Sequence, residues 1–238
     1  MLSCLVGSEM CIRDRTRLDP LFQGLRRSVS PLVRLILESG ITPSDDWVHG
    51  VKWPIESQEM LSQKVSEAIG FDFNSGRRDS SIHPFCGGPN PQDVRWTTRY
   101  DESEPFGSLF GSMHETGHGT YEQGRPEALV YQPAGKACGL GVHESQSRLW
   151  ENQIGRSLAF CEWVLPLWKD YFPGSLEDVT PEMLWKSVNK IQPSYIRTES
   201  DEATYNIHIM IRYELEKMMI EGDVEVDEIP DMWDDYYQ

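Results

Sequence analysis

The stretch Ser112–Gln123 reads S-M-H-E-T-G-H-G-T-Y-E-Q, and the architecture turns on it. His114 and His118 are spaced i, i+4, so on an α-helix they project from one face about one turn apart. Two imidazoles placed that way can hold one metal ion, at roughly 2.0–2.1 Å from each nitrogen. Glu115, next to the first histidine, can then act as general base toward a water activated at the metal. Gly117 and Gly119 lower helix propensity but let neighbouring elements come close to the site. A catalytic metal also needs a third protein ligand from elsewhere in the chain.

That ligand is sought downstream, where H-E-S-Q opens another helical pattern at His143 and Glu144. Glu144 would complete a His–His–Glu set with its third ligand on a later helix, the gluzincin pattern. His143 is the competing ligand, with Glu144 then standing behind it. Taken alone, His114 and His118 could be satisfied core histidines; the downstream H-E-S-Q argues against that.

Working outward, Leu18–Leu37 carries apolar residues at helical spacing, and Pro31 is expected to start a second helix or kink a long one. Pro54–Ile69 reads as an amphipathic helix stopped by Gly70. Ser81–Phe85 and Asp93–Arg99 read as two short strands joined by a turn over Gly87–Pro91. Such a hairpin before a metal helix could pair with an extended peptide or be purely structural. Gly124–Pro126 ends the metal helix. Gly139–Tyr171 reads as one long helical pattern that Pro166 kinks or restarts. Further helices begin at Thr180–Pro181 and at Ser200–Asp201–Glu202, the latter closed by Gly222. The expectation is a mainly α fold with a small β-hairpin or sheet beside the metal helix. No internal repeat, low-complexity segment or obvious linker interrupts it.

Composition narrows the function classes. The 238 residues are enough for one large domain or two small ones. The net charge of −16, from 38 acidic against 22 basic residues, disfavours nucleic acid and anionic membrane as partners. No apolar run approaches the ~20 residues that span a bilayer. The five cysteines are Cys4, Cys11, Cys86, Cys138 and Cys161; they are odd in number and irregularly spaced, which suits a reducing, cytoplasmic compartment. Residues 1–15 lack helical or strand periodicity and a signal-peptide pattern, so they read as a leader foreign to the domain.

Five motifs now stand in order: His83–Pro84–Phe85, Asp93–Val94–Arg95–Trp96–Thr97, His114–Glu115–Thr116–Gly117–His118, His143–Glu144–Ser145–Gln146 and Arg197–Thr198–Glu199–Ser200–Asp201. Together they resemble the carboxypeptidase Taq family of metallocarboxypeptidases, from about Asp19 to Gln238. Ser200 departs from that pattern, which usually has alanine there. The resemblance implies a largely helical gluzincin-like fold with a groove lined by a short sheet. It implies one divalent metal, zinc or else cobalt or manganese, on His114, His118 and Glu144, with Glu115 as general base. It also implies removal of C-terminal residues from peptides that have a free C-terminus, and a homodimer. Arg197 falls where the family has a basic residue near the substrate carboxylate, which a guanidinium can bind bidentately; an ion pair with a neighbouring acid is the structural alternative. His83 and Arg95 either line the groove or hold the hairpin. Family members are longer, so residues 16–238 are expected to be a partial catalytic domain lacking N- and C-terminal parts. The alternatives are a gluzincin endo- or oligopeptidase, and an inactive fragment that retains the metal site.

Overall fold

The structure is a computed structural model that describes residues 15–237. Residues 1–14, which make up most of the segment read as a foreign leader and include Cys4 and Cys11, lie outside the described residues. In chain order the elements are α1 (Arg15–Glu38), α2 (Ile55–Ile69), β1 (Gly76–Ser80), β2 (Cys86–Asn90), β3 (Asp93–Thr98), α3 (Phe106–Gln123), α4 (Leu140–Arg148), α5 (Leu158–Tyr171), α6 (Pro181–Val188), α7 (Glu202–Glu221) and α8 (Ile229–Tyr237). A π-helical turn, Leu149–Ile154, follows α4, and short 3-10 turns fill several connections. The described residues form two compact units, one of residues 15–42 with 189–237 and one of Pro43–Val188.

In the first unit α1 packs on α7. The Phe22 and Tyr213 rings lie 4.8 Å apart, and Asp19 accepts from Tyr213 at 2.8 Å and Lys217 at 3.0 Å. Asp201 caps α7 by accepting from the Ala203 and Thr204 amides, and Gly222 ends it at a φ of 78°. Pro31 does not divide α1, which runs unbroken through it and Pro20. A proline ring's fixed φ is compatible with helix, and the cost is the lost amide hydrogen bond. Of the apolar residues on α1 only Val33 is buried.

The second unit holds the H-E-x-x-H helix, and its core is aromatic. Trp53 and Trp168 are fully buried 6.0 Å apart, with Trp47, Phe106 and Phe172 edge-on around them. Rings meeting edge to face bury large areas and add specific attraction. Helix α2 ends at Gly70, whose φ of 109° suits a residue without a Cβ. Helix α3 starts without a capping residue at Pro105; instead the Glu104 carboxylate accepts from the Phe106 amide at 2.8 Å and the Gly107 amide at 2.6 Å. Gln58 of α2 holds that end of α3 in place. Its Nε2 donates to the carbonyls of Trp53 (2.7 Å) and Asp101 (2.8 Å), and its Oε1 accepts from Ser108 Oγ at 2.6 Å. Two residues past the first histidine, Thr116 and Ser66 share a buried hydroxyl contact of 2.8 Å that pins α3 to α2.

The β element differs from the expected hairpin. Ser81–Phe85 is not a strand; the strand is Cys86–Asn90, the stretch read as a turn, and the turn is Pro91–Gln92. The register between β2 and β3 shifts between Gly87 and Asn90. At that irregularity a Cβ on Gly88 would stand 2.1 Å from the Asp93 carbonyl oxygen, so glycine is what allows the approach. A third strand, β1, pairs parallel to β3 and gives the order β1-β3-β2. Its sequence, G-R-R-D-S, has neither alternation nor β-branched residues.

The stretch Gly139–Tyr171 is likewise not one helix. It is α4, the π turn and α5, and Ser157 caps α5 by accepting from the Phe160 amide at 3.2 Å. Pro166 sits inside α5 without restarting it. Replacing Gln58 by leucine leaves two carbonyls and a hydroxyl without their buried partner. We expect a loss of about 3 kcal/mol, read as a lower urea midpoint.

Candidate metal centre

Helix α3 presents His114 and His118 with ring centroids 4.9 Å apart. Glu144 comes from α4, which crosses α3 at Gly117. A Cβ on Gly117 would lie 2.6 Å from the Gln146 carbonyl oxygen and 2.7 Å from Ser147 Cα, so the two backbones touch there. Beside this crossing, Glu144 reaches back over the histidines: His118 Nε2 is 3.3 Å from its Oε2 and His114 Nε2 is 3.8 Å from its Oε1. One donor atom from each of the three residues falls within 4.8 Å of the others.

The other ring nitrogens are engaged. His114 Nδ1 lies 2.8 Å from Glu151 Oε2, and His118 Nδ1 lies 2.6 Å from His143 Nδ1. Both rings thus turn their Nε2 atoms toward one carboxylate, which is how a three-ligand site with an open side is built. Glu144 is about half exposed and leaves that open side toward solvent. This donor set fits a divalent metal. The hydrogen bond with His118, with help from the charge on both rings, outweighs burial and holds the Glu144 carboxyl down at about 2.

Glu115 is 6% exposed, and its Oε2 has no hydrogen-bond partner. Burial pushes its carboxyl up to about 7; the charge of His114 opposes this, and those of Glu144 and Glu151 add to it. Burial disfavours a charged His114 as well, but the hydrogen bond and charge of Glu151 outweigh it and raise that ring.

The other expected site residues are not among the three donors. His143 sits beside His118 and also lies 2.8 Å from Glu122, so it is a neighbour of the cluster rather than one of its three donors. His83 is exposed between β1 and β2, and its carbonyl accepts from Ser81 Oγ at 2.5 Å. Arg95 is exposed on β3, and Asp93 accepts from its Nε and Nη2, both at 2.8 Å, in a bidentate pair within one strand. Arg197 belongs to the first unit, where its guanidinium donates to the Tyr205 hydroxyl.

Sequence reasoning overlooked Glu122, Glu151, Arg125 and Arg148. Signals for them existed. Glu122 is one turn beyond His118 on the same helix, and Glu151 is two turns beyond Glu144. Each has an arginine three residues away, Arg125 at 2.5 Å and Arg148 at 2.7 Å.

Comparison with known proteins follows the same lines. The family model described as Carboxypeptidase Taq (M32) metallopeptidase matches residues 11–238. Thermostable carboxypeptidase 1 of Thermus thermophilus is 42% identical over 234 residues, 98% of this chain and 45% of that protein. Carboxypeptidase 1 of Bacillus subtilis is 38% identical over 221 residues, 93% of this chain and 44% of that protein. The crystal structure of a carboxypeptidase from Deinococcus radiodurans R1 matches with a TM-score of 0.90 and 38% identity, covering 94% of this chain and 44% of that one. The chain spans about half the length of the curated relatives it matches.

Two predictions test the geometry. Gly117→Ala should gain ~1 kcal/mol from helix propensity alone. The clash with α4 reverses the sign, so a net loss of about 1–3 kcal/mol and weaker zinc binding are expected by denaturation and metal titration. The second concerns the metal-free chain. A carboxyl raised in the folded state favours folding while protonated and opposes it once ionised. Glu115→Gln should therefore match the parent below the ordinary value of 4.5, gain on it as pH rises to about 7, and stay ahead above that. The plateau is on the order of 2 kcal/mol, read from denaturant midpoints of chelator-treated protein across pH.

Proposed function

The chain belongs to the carboxypeptidase Taq family of metallopeptidases, and from that membership we propose that it carries the metal-holding and proton-handling core of an enzyme that releases C-terminal residues from peptides. The observation that carries this reading is the convergence of His114, His118 and Glu144 on one point, with Glu115 buried beside them. Two imidazoles and a carboxylate suit zinc, with cobalt or manganese also compatible, and such a cation when bound supplies Lewis acidity that activates water and polarises the scissile carbonyl.

The protein's own residues do the rest. Glu115 takes a proton from the attacking water as the new C–O bond forms, and returns it to the leaving nitrogen as the C–N bond breaks. Its unpartnered Oε2 supports this role, because nothing described in the fold uses that oxygen's hydrogen-bonding capacity. Glu144, His114 and His118 hold the centre while leaving the solvent side of Glu144 open to a peptide.

Arg197 is the basic residue that the family resemblance offers for the substrate's terminal carboxylate, which a guanidinium can bind bidentately; within its own unit it donates to the Tyr205 hydroxyl. His83 offers an exposed ring to the peptide. Arg95 reads as a hairpin residue first, since Asp93 already fills its fork. The relatives named above are carboxypeptidases, which supports a peptide with a free C-terminus as substrate. The homodimer and the cytoplasmic setting belong to the same proposal. Among the described residues no helix is long and apolar enough to cross a membrane.

Zinc-loaded chain should trim a blocked peptide from its C-terminus, seen as a ladder by mass spectrometry, and leave the C-terminally amidated peptide intact. Glu115→Gln should keep one zinc per chain by elemental analysis and lose about 10²–10⁴-fold in rate. Cleavage of the amidated peptide would move the assignment to an endopeptidase, and absence of stoichiometric metal would remove the centre itself.

A further inference from the structure

The contacts that reach the two histidines from behind repeat the same arrangement. His114 Nδ1 meets Glu151, and Glu151 is held by Arg148. His118 has no carboxylate at its Nδ1; it meets the ring of His143, which passes the contact to Glu122 at 2.8 Å, and Glu122 is held by Arg125. The Tyr121 ring stands edge-on to His143 at 4.9 Å and fixes the plane of the intermediate ring. All of these groups are largely buried.

The tautomers follow from either end of this chain of contacts. A neutral imidazole has one N–H and one lone pair. Glu122 accepts only, so His143 Nε2 carries the proton and His143 Nδ1 is an acceptor. With a cation in place of the proton that His118 shares with Glu144, the 2.6 Å contact puts the remaining ring proton on His118 Nδ1 and leaves the Nε2 lone pair on the side facing Glu144. Starting at the cation gives the same answer. If Nε2 ligates, Nδ1 must carry the proton and must donate it to an acceptor.

We propose that His143 and Glu122 are positioning residues: a histidine–carboxylate relay that sets the tautomer and orientation of His118 for metal binding, matching what Glu151 does directly for His114. The proposal rests on the metal-centre reading above. It also settles how His143 of H-E-S-Q serves the site, as a support for a ligand.

Zinc affinity by chelator competition is the test, on the parent chain and three variants. His143→Gln can accept from His118 through its carbonyl and donate to Glu122 through its amide, so it should stay within about threefold of the parent. His143→Phe keeps the ring packed on Tyr121 but has no acceptor, and should weaken zinc by about 10–100-fold. Glu122→Gln no longer forces the tautomer and should weaken zinc by several-fold with the His143 ring in place. A packing role predicts the opposite order, with phenylalanine at 143 better than glutamine. That order overturns the relay, as does an unchanged affinity in Glu122→Gln. No zinc uptake by the parent overturns the centre and the relay together, which distinguishes the two failures.

Discussion

The backbone contact between α3 and α4 at Gly117 is the constraint on which the site depends. Helix α3 alone offers two imidazoles about a turn apart, as any H-E-x-x-H helix does. They become part of a three-donor cluster because a hydrogen atom stands where a side chain would collide with the carbonyl of Gln146. Ser147, fully buried, donates its hydroxyl to the Glu144 carbonyl at 2.7 Å and stiffens the turn that carries the third donor. On the opposite flank, Gly119 makes room for the Phe71 ring, which would lie 2.7 Å from an added Cβ. Two glycines that are poor for the helix are thus what lets α4 and the aromatic wall of the sheet close on it.

Around this crossing the protein collects four carboxylates, on Glu115, Glu122, Glu144 and Glu151. Two are partnered by arginines three residues away in the chain. Glu144 faces the histidines, and Glu115 stays without a partner for its Oε2. Concentrated negative charge in a half-buried site opposes folding unless positive charge joins it. The cluster thus suits a cation; the Glu115 carboxyl is raised by burial first, with the charges of Glu144 and Glu151 adding to it. Nearby Cys86 feels the same environment: burial, with the charges of Glu115 and Glu122, pushes its thiol to about 12, so it stays protonated and inert.

Much of this was legible in the sequence where one residue type has one physical use. The histidine spacing, the H-E pair downstream, the glycine stops at Gly70 and Gly222 and the cap at Asp201 all depend on local geometry. What was not legible depends on neighbours distant in the chain. Gly87–Gly88–Pro89 has the composition of a turn, and becomes a strand only because β3 lies against it and Gly88 has no side chain to block the approach. β1 has no strand pattern of its own and is held by pairing with β3. Glu122 and Glu151 looked like two more acids in a chain rich in them. Their role appears only once each is seen beside a histidine contact.

The π turn at Leu149–Ile154 works as a phase shifter. Its wider hydrogen bond, from the Gly155 amide to the Trp150 carbonyl at 2.9 Å, takes in one residue more than an α-turn. Inside the turn itself, Glu151 faces His114. Trp150 and Ile154 instead join Met113 around an apolar cavity of about 310 Å³. The extra residue lets one continuous stretch of backbone serve two clients with different angular demands, a charged centre and an apolar interior. Deleting a single residue there would bring the two faces back into step and force one of them to lose its alignment. For this stretch, a change in length is thus a more severe change than most changes of side chain.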